Sequence, residues 1–107
     1  MSEEKQYRQG DLLFVKRDII PKHAKKRSSQ VIVAGEVTGH VHELEHGSIF
    51  DLRTGWHPRV HQVFIAAEDG ARVVHDEHPY IALEAGVWEV IRQREYGKAQ
   101  ESRQVSD

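Results

Sequence analysis

The fold class is decided by residues 60–75, which read VHQVFIAAEDGARVVH. Two short apolar runs flank Glu68-Asp69-Gly70, which has the composition of a hairpin turn. Similar runs recur along the chain with turn residues between them, whereas the period of a long amphipathic helix is missing. We therefore predict an all-β protein, either a single small barrel or a two-sheet sandwich of about eight short strands.

The predicted strands are short and regularly spaced. They cover residues 11–17, 31–34, 37–44, 48–52, 60–67, 71–75, 80–83 and 87–93. In the last of them, the face with Trp88 and Val90 alternates with the face that carries Val87 and Ile91, and the sequence leaves open which of the two is buried. The basic, polar segment 21–29 is predicted to form a mobile loop. We predict one β-barrel domain over residues 1–96 and a flexible polar tail over residues 97–107.

The composition indicates one soluble globular domain. The chain has 107 residues, of which 38% are hydrophobic and 30% charged, and its net charge is -2. A nearly balanced charge disfavours a nucleic-acid binder. No apolar stretch approaches the ~20 residues that cross a bilayer, and the polar N-terminal residues contain no apolar signal segment. We expect a cytoplasmic protein without a membrane partner.

Histidine supplies the main functional signal. The chain has no cysteine and eight histidines, four of which form the close pairs His40/His42 and His75/His78. Without cysteine there is no disulfide, thiolate nucleophile or cysteine-ligated zinc finger, so a metal would bind imidazole, carboxylate or water. Because strand side chains alternate, His40 and His42 share one face and can converge on one ion.

A complete site needs both histidine pairs. If the turn that carries His75 and His78 lies against the third predicted strand, the two pairs together supply three or four imidazole ligands. Glu45 is the best additional carboxylate ligand, while Glu77 is a ligand or base beside His75 and His78, which are also candidate acid/base groups. Three protein ligands would be typical of a catalytic site and four of a structural one. The remaining histidines, His23, His46, His57 and His61, are interpreted as ordinary surface residues.

Part of this pattern resembles the cupin family. Gly35, His40, His42 and Glu45 resemble a contracted first cupin motif, and Leu83-Glu84-Ala85-Gly86-Val87 is similar to the turn of the second. The family's fourth ligand, a histidine after that turn, has no counterpart here. The resemblance implies a small double-sheet barrel that holds Fe, Mn, Zn or Ni inside it, with His40, His42 and Glu45 as ligands.

Two other classes of function stay open. In the first, histidines act without metal as general acid and base on a phosphodiester or RNA. The phosphate would then be held by a basic set, Lys25, Lys26, Arg27, Arg92 and Arg94. In the second, the chain is a non-enzymatic interaction module or homo-oligomer, with Trp56 as a candidate anchor. Our leading hypothesis is a metal site that activates water or a small-molecule substrate.

Overall fold

A computed structural model describes residues 5–34, 41–53 and 61–92. Within these residues the protein is all-β, which confirms the predicted class, with ten strands rather than about eight. The strands are β1 (Gln6–Gln9), β2 (Leu12–Arg17), β3 (Lys25–Lys26), β4 (Val31–Ala34), β5 (Val41–Glu45), β6 (Ser48–Arg53), β7 (His61–Ala67), β8 (Ala71–Val74), β9 (Ile81–Leu83) and β10 (Gly86–Arg92). None of the described residues forms a helix that could cross a membrane.

The strands form two antiparallel sheets. The larger has the order β1-β2-β10-β7-β6-β3 and the smaller the order β4-β5-β8-β9. One apolar cluster joins them, since Phe14, Ile65 and Trp88 of the larger sheet pack with Leu44 and Val73 of the smaller. The architecture is therefore a two-sheet sandwich around a shared core.

Two tight turns carry the chain from one sheet to the other. His46 and Gly47 connect β5 to β6, and both have positive φ, 66° and 107°. Residues 68–70 form the turn that the sequence predicts, with Gly70 N donating to Ala67 O at 3.4 Å. The strands on either side of that turn do not pair as a hairpin, because β7 lies in the larger sheet and β8 in the smaller. Each turn thus places consecutive strands on opposite sides of the core.

The last strand buries the face that carries Trp88. Trp88 is 0% exposed, and its indole Nε1 donates to Glu84 O at 2.9 Å. Its neighbours in register are Lys16 on β2 and Ile65 on β7. A buried indole with a satisfied N–H contributes a large apolar area without an unpaired donor, so Trp88 anchors the centre of the larger sheet.

The predicted loop over residues 21–29 contains a strand, and the loop prediction is wrong at Lys25–Lys26. Arg27 explains the difference. Its guanidinium makes a two-point contact with Asp51 and also donates to the carbonyls of Val31 and Ile32 at 2.7 and 3.1 Å. These bonds fix the basic segment against β6, and periodicity does not reveal them.

We expect Asp51 to stabilise the fold at neutral pH and to lose this effect in acid. The Arg27 guanidinium, helped by a hydrogen bond from His61, lowers the pKa of Asp51 to about 2. A depressed carboxyl pKa stabilises the fold above the unfolded pKa near 4, and this stability is lost as pH falls towards 2. Asp51→Asn should lower the free energy of unfolding at neutral pH by about 2 kcal/mol. Between pH 7 and pH 2, the free energy of unfolding should also fall less in Asp51→Asn than in Asp18→Asn, a control that changes an exposed aspartate. Denaturant unfolding measures this quantity.

Candidate functional site

Three histidines form one cluster, which we call the histidine cluster: His42 on β5, and His75 and His78 in the connection between β8 and β9. The ring centroids of His42 and His75 are 4.4 Å apart, those of His75 and His78 are 4.5 Å apart, and those of His42 and His78 are 6.4 Å apart. Strand pairing explains the first contact. Glu43 pairs with Val74, so the next position of this antiparallel ladder sets His42 beside His75.

One predicted ligand, Glu45, lies away from the cluster, and another, His40, lies outside the described residues. His40 is among the residues that the structure does not describe. Glu45 is an odd-numbered position of β5, on the face opposite to buried His42, and its carboxylate pairs with Arg72 at 2.9 Å. Glu77 is exposed and contributes its main-chain N–H to His75.

A buried glutamine fixes the ring of His42. Gln9 is 3% exposed, and its side-chain nitrogen donates to Val73 O at 3.0 Å and to Pro79 O at 2.9 Å. Its oxygen must therefore be the atom that contacts His42 Nδ1 at 2.8 Å, and an oxygen can only accept. It follows that the His42 proton resides on Nδ1 and that the Nε2 lone pair points away from Gln9.

The surroundings of His42 keep its ring neutral. Burial, followed by the nearby His75, lowers the pKa of His42 to about 4, although the Asp11 carboxylate acts in the opposite direction. Asp11 Oδ1 lies 3.9 Å from His42 Nε2, and Asp11 Oδ2 accepts from Arg92 Nε at 3.1 Å. His42 therefore presents an unprotonated nitrogen, next to a carboxylate, across the physiological pH range.

We expect this histidine to destabilise the metal-free fold in acid. Because its pKa falls from 6.5 to about 4 on folding, the unfolded chain binds the extra proton first, and stability declines as pH drops through that window. The decline amounts to roughly 2 to 3 kcal/mol. Denaturant unfolding in EDTA from pH 7 to 4 should show it, and His42→Gln should flatten the profile while His23→Ala should not. An equally steep profile for His42→Gln would contradict this account.

The turn between β1 and β2 closes one side of the cluster. Gly10 begins this two-residue turn with φ of 60°, a value that favours glycine. A Cβ at this position would lie 3.1 Å from His78 Nε2 and 3.4 Å from His42 Cε1. A side chain at this position would crowd both imidazoles at this separation, and the same turn carries Asp11 to its position beside His42.

His75 has two local contacts that favour different tautomers. Its Nδ1 accepts the main-chain N–H of Glu77 at 2.9 Å, which leaves the ring proton on Nε2. The same Nδ1 lies 3.6 Å from Asp76 Oδ1, a carboxylate that favours a proton on Nδ1. Over residues 5–34, 41–53 and 61–92, no group of three or more histidine, aspartate or glutamate side chains is arranged to hold a metal ion. The imidazoles are thus close together, but their nitrogens do not converge.

The predicted phosphate-binding residues do not form one site. Lys25 and Lys26 are exposed on β3, Arg27 is held by Asp51, and Arg92 is held by Asp11. Arg94 lies outside the described residues. The described members of the basic set are therefore dispersed between an edge strand, a half-buried ion pair and the neighbourhood of the histidine cluster.

Sequence reasoning missed Gln9 and Asp11. Both flank Gly10, and a glycine-containing turn was the one available signal that this segment approaches something closely. Nothing in the residue type of Gln9 predicts that its amide is buried. His61, interpreted from sequence as an ordinary surface residue, has a specific partner, since its Nε2 contacts Asp51 Oδ1 at 2.7 Å.

Comparison with known proteins provides a family but no activity. No curated protein and no solved structure matches the chain significantly. A family model described as a domain of unknown function, DUF8820, matches residues 8–93. This range contains the whole histidine cluster together with Gln9 and Asp11. Because the match covers most of the chain, the protein belongs to the DUF8820 family.

Proposed function

We propose that the protein binds a divalent transition metal ion, Zn, Fe, Mn or Ni, through His42, His75 and His78. The observation that carries this proposal is the meeting of three imidazoles from β5 and from the connection between β8 and β9. Imidazole is a common ligand for these metals. A cluster with three protein ligands leaves a coordination position open, as catalytic sites do.

The spacing of the rings supports a shared ion. Imidazoles bound to one tetrahedral ion through nitrogens at about 2.0–2.1 Å have ring centroids roughly 5 Å apart. The three centroid distances here, 4.4, 4.5 and 6.4 Å, bracket that value. What a metal would change is therefore the orientation of the rings more than their positions.

His42 needs the least change to act as a ligand. A metal-binding histidine typically donates its other ring N–H to a fixed acceptor, which is the role of Gln9 Oε1 at 2.8 Å from His42 Nδ1. Metal ligands must also be deprotonated, and the pKa of His42, lowered to about 4 by burial, meets that requirement. His75 has to exchange its bond with the Glu77 amide for one to Asp76, whose carboxylate lies 3.6 Å from Nδ1.

Asp11, and not Glu45, is the carboxylate that lies beside His42. Its Oδ1 is 3.9 Å from His42 Nε2, so an ion bound to that nitrogen would lie close to the negative charge of Asp11. A carboxylate beside the cluster also offsets part of the charge of a divalent cation. When bound, such a metal supplies Lewis acidity that polarises a substrate or lowers the pKa of a water molecule.

The metal-free acid/base alternative has less support. It needs cations around the histidines to hold a phosphate, whereas Arg27 is engaged with Asp51 and the two lysines are exposed on β3, at the edge of the larger sheet. Arg92 alone of the described basic set lies near the cluster, through its bond to Asp11. The metal hypothesis requires none of these residues.

The test is a metal titration of protein purified without an affinity tag. After EDTA treatment, ZnCl₂ is added in a calorimeter and CoCl₂ is followed by visible absorption, which reports coordination geometry. We expect one ion per chain and a cobalt spectrum typical of a four- or five-coordinate nitrogen-rich site. His23→Ala, which removes an exposed histidine, is the matched control and should bind equally well. Absence of stoichiometric binding by the wild-type chain would refute the proposal.

A further inference from the structure

A cleft opens where two strands of the larger sheet separate. Strands β7 and β10 pair from Gly86↔Ala67 to Val90↔Val63, yet each strand continues for two further residues. Beyond the last pair they enclose a cavity of about 550 Å³, within the size range of small-ligand sites. Its lining reaches the core residues Leu12 and Ile32 and includes the half-buried valines at positions 33, 63 and 90.

Most charged groups in the lining of this cleft already have partners. Arg27 uses its donors on Asp51 and on two carbonyls. Glu89 is held by Arg17 at 3.0 Å and by Gln62 at 3.1 Å. These groups are structural, since using them for a ligand would break buried or half-buried bonds.

Arg92 differs from them. Within the described part of the chain its hydrogen bonding is limited to Nε, which donates to Asp11 Oδ2 at 3.1 Å. Its terminal guanidinium nitrogens keep their donors, and their planar fork matches a carboxylate. The cleft therefore combines apolar walls with a cation that has hydrogen-bonding capacity to spare.

Asp11 connects this cation to the histidine cluster. Its two oxygens lie 3.1 Å from Arg92 Nε and 3.9 Å from His42 Nε2. A ligand bound to Arg92 would therefore be separated from His42 by the Asp11 carboxylate alone. We infer that the cleft binds a small carboxylate with an apolar body, and that such anions are the substrate class of the metal centre. The second half of this inference rests on the proposed function.

The binding site is tested by NMR titration of the EDTA-treated protein with benzoate. Amide signals of Val63, Val90 and Ile91 should shift, because these residues line the cleft. Benzamide, which lacks the charge, and acetate, which lacks the ring, should each bind at least about tenfold more weakly. If benzamide binds as tightly as benzoate, or if the amide shifts are confined to residues outside the cleft, the proposed binding site is wrong.

Two substitutions should change the affinity in opposite directions. Arg92→Gln removes the cation and should weaken benzoate binding at least about tenfold. Asp11→Asn releases Arg92 from its partner and should tighten binding roughly two- to fivefold. Arg72→Gln is the matched control, since it removes an exposed arginine paired with Glu45, and it should have no effect. If Asp11→Asn weakens binding, or if Arg72→Gln weakens it as much as Arg92→Gln, the assignment of Arg92 is wrong.

A final titration separates the anion site from the metal centre. The experiments above need no metal, so benzoate binding survives even if the proposed function fails. With zinc added, affinity for benzoate should rise, because a cation at the histidine cluster adds positive charge next to the carboxylate. Bound zinc that leaves the benzoate affinity unchanged would overturn the substrate role.

Discussion

Replacing His78 with alanine should weaken zinc binding by at least ~100-fold, more than is typical for loss of a supporting residue around a metal. The ring of His78 lies 4.5 Å from that of His75 between centroids, so its removal leaves an incomplete ligand set. Because the residue is exposed, the free energy of unfolding should change by no more than about 0.5 kcal/mol. Zinc calorimetry and denaturant unfolding on the same samples measure both quantities.

The comparison with other histidine variants gives this prediction its specificity. His42→Ala should weaken zinc binding by a similar factor. It should also destabilise the metal-free protein, since it leaves Gln9 Oε1 without its buried partner. His23→Ala should leave affinity and stability unchanged. If His78→Ala binds zinc as tightly as the wild type, the ion does not sit in the histidine cluster.

The local sequence pattern predicted the three histidines of the candidate site. The strand pairing that brings them together could not be predicted from it. The alternation of β5 predicted that His42 and Leu44 share a face, and both are buried. The same alternation places Glu45 on the other face, a consequence that was available from sequence. The pairing of β5 with β8 was not available, because register between distant strands depends on the whole sheet.

The residues that were missed act through side-chain bonds that hydrophobic patterning does not detect. Strand β1 reads Gln-Tyr-Arg-Gln, with one apolar residue. Which of its side chains are buried is determined by its pairing with β2. Arg27 and Gln9 are both polar residues whose bonds span at least two elements. Polar residues of this kind are expected on the surface from composition, so their structural roles emerge from geometry.

Gln9 is the residue on which the arrangement of the cluster depends, and Gln9→Leu should expose that dependence. The change removes the donors to Val73 O and Pro79 O and the acceptor for His42 Nδ1–H. Several buried polar groups lose their partners, so the free energy of unfolding should fall by on the order of 3 kcal/mol. Zinc affinity should fall about 10- to 100-fold, the range for a residue that orients a metal ligand.

A second substitution separates orientation of the ring from stability of the fold. Gln9→Glu keeps an oxygen that can accept from His42 Nδ1 but loses the donors to Val73 O and Pro79 O. Long-range ¹H–¹⁵N NMR of the metal-free proteins should therefore show the Nδ1–H tautomer of His42 in the wild type and in Gln9→Glu. A mixture of tautomers is expected in Gln9→Leu.

Gln62→Leu, which removes a half-buried glutamine bonded to Glu89, should leave the tautomer and the zinc affinity unchanged. Should Gln9→Leu lose stability while its His42 tautomer and zinc affinity stay as in the wild type, then Gln9 supports the sandwich and has no role in directing His42 Nε2.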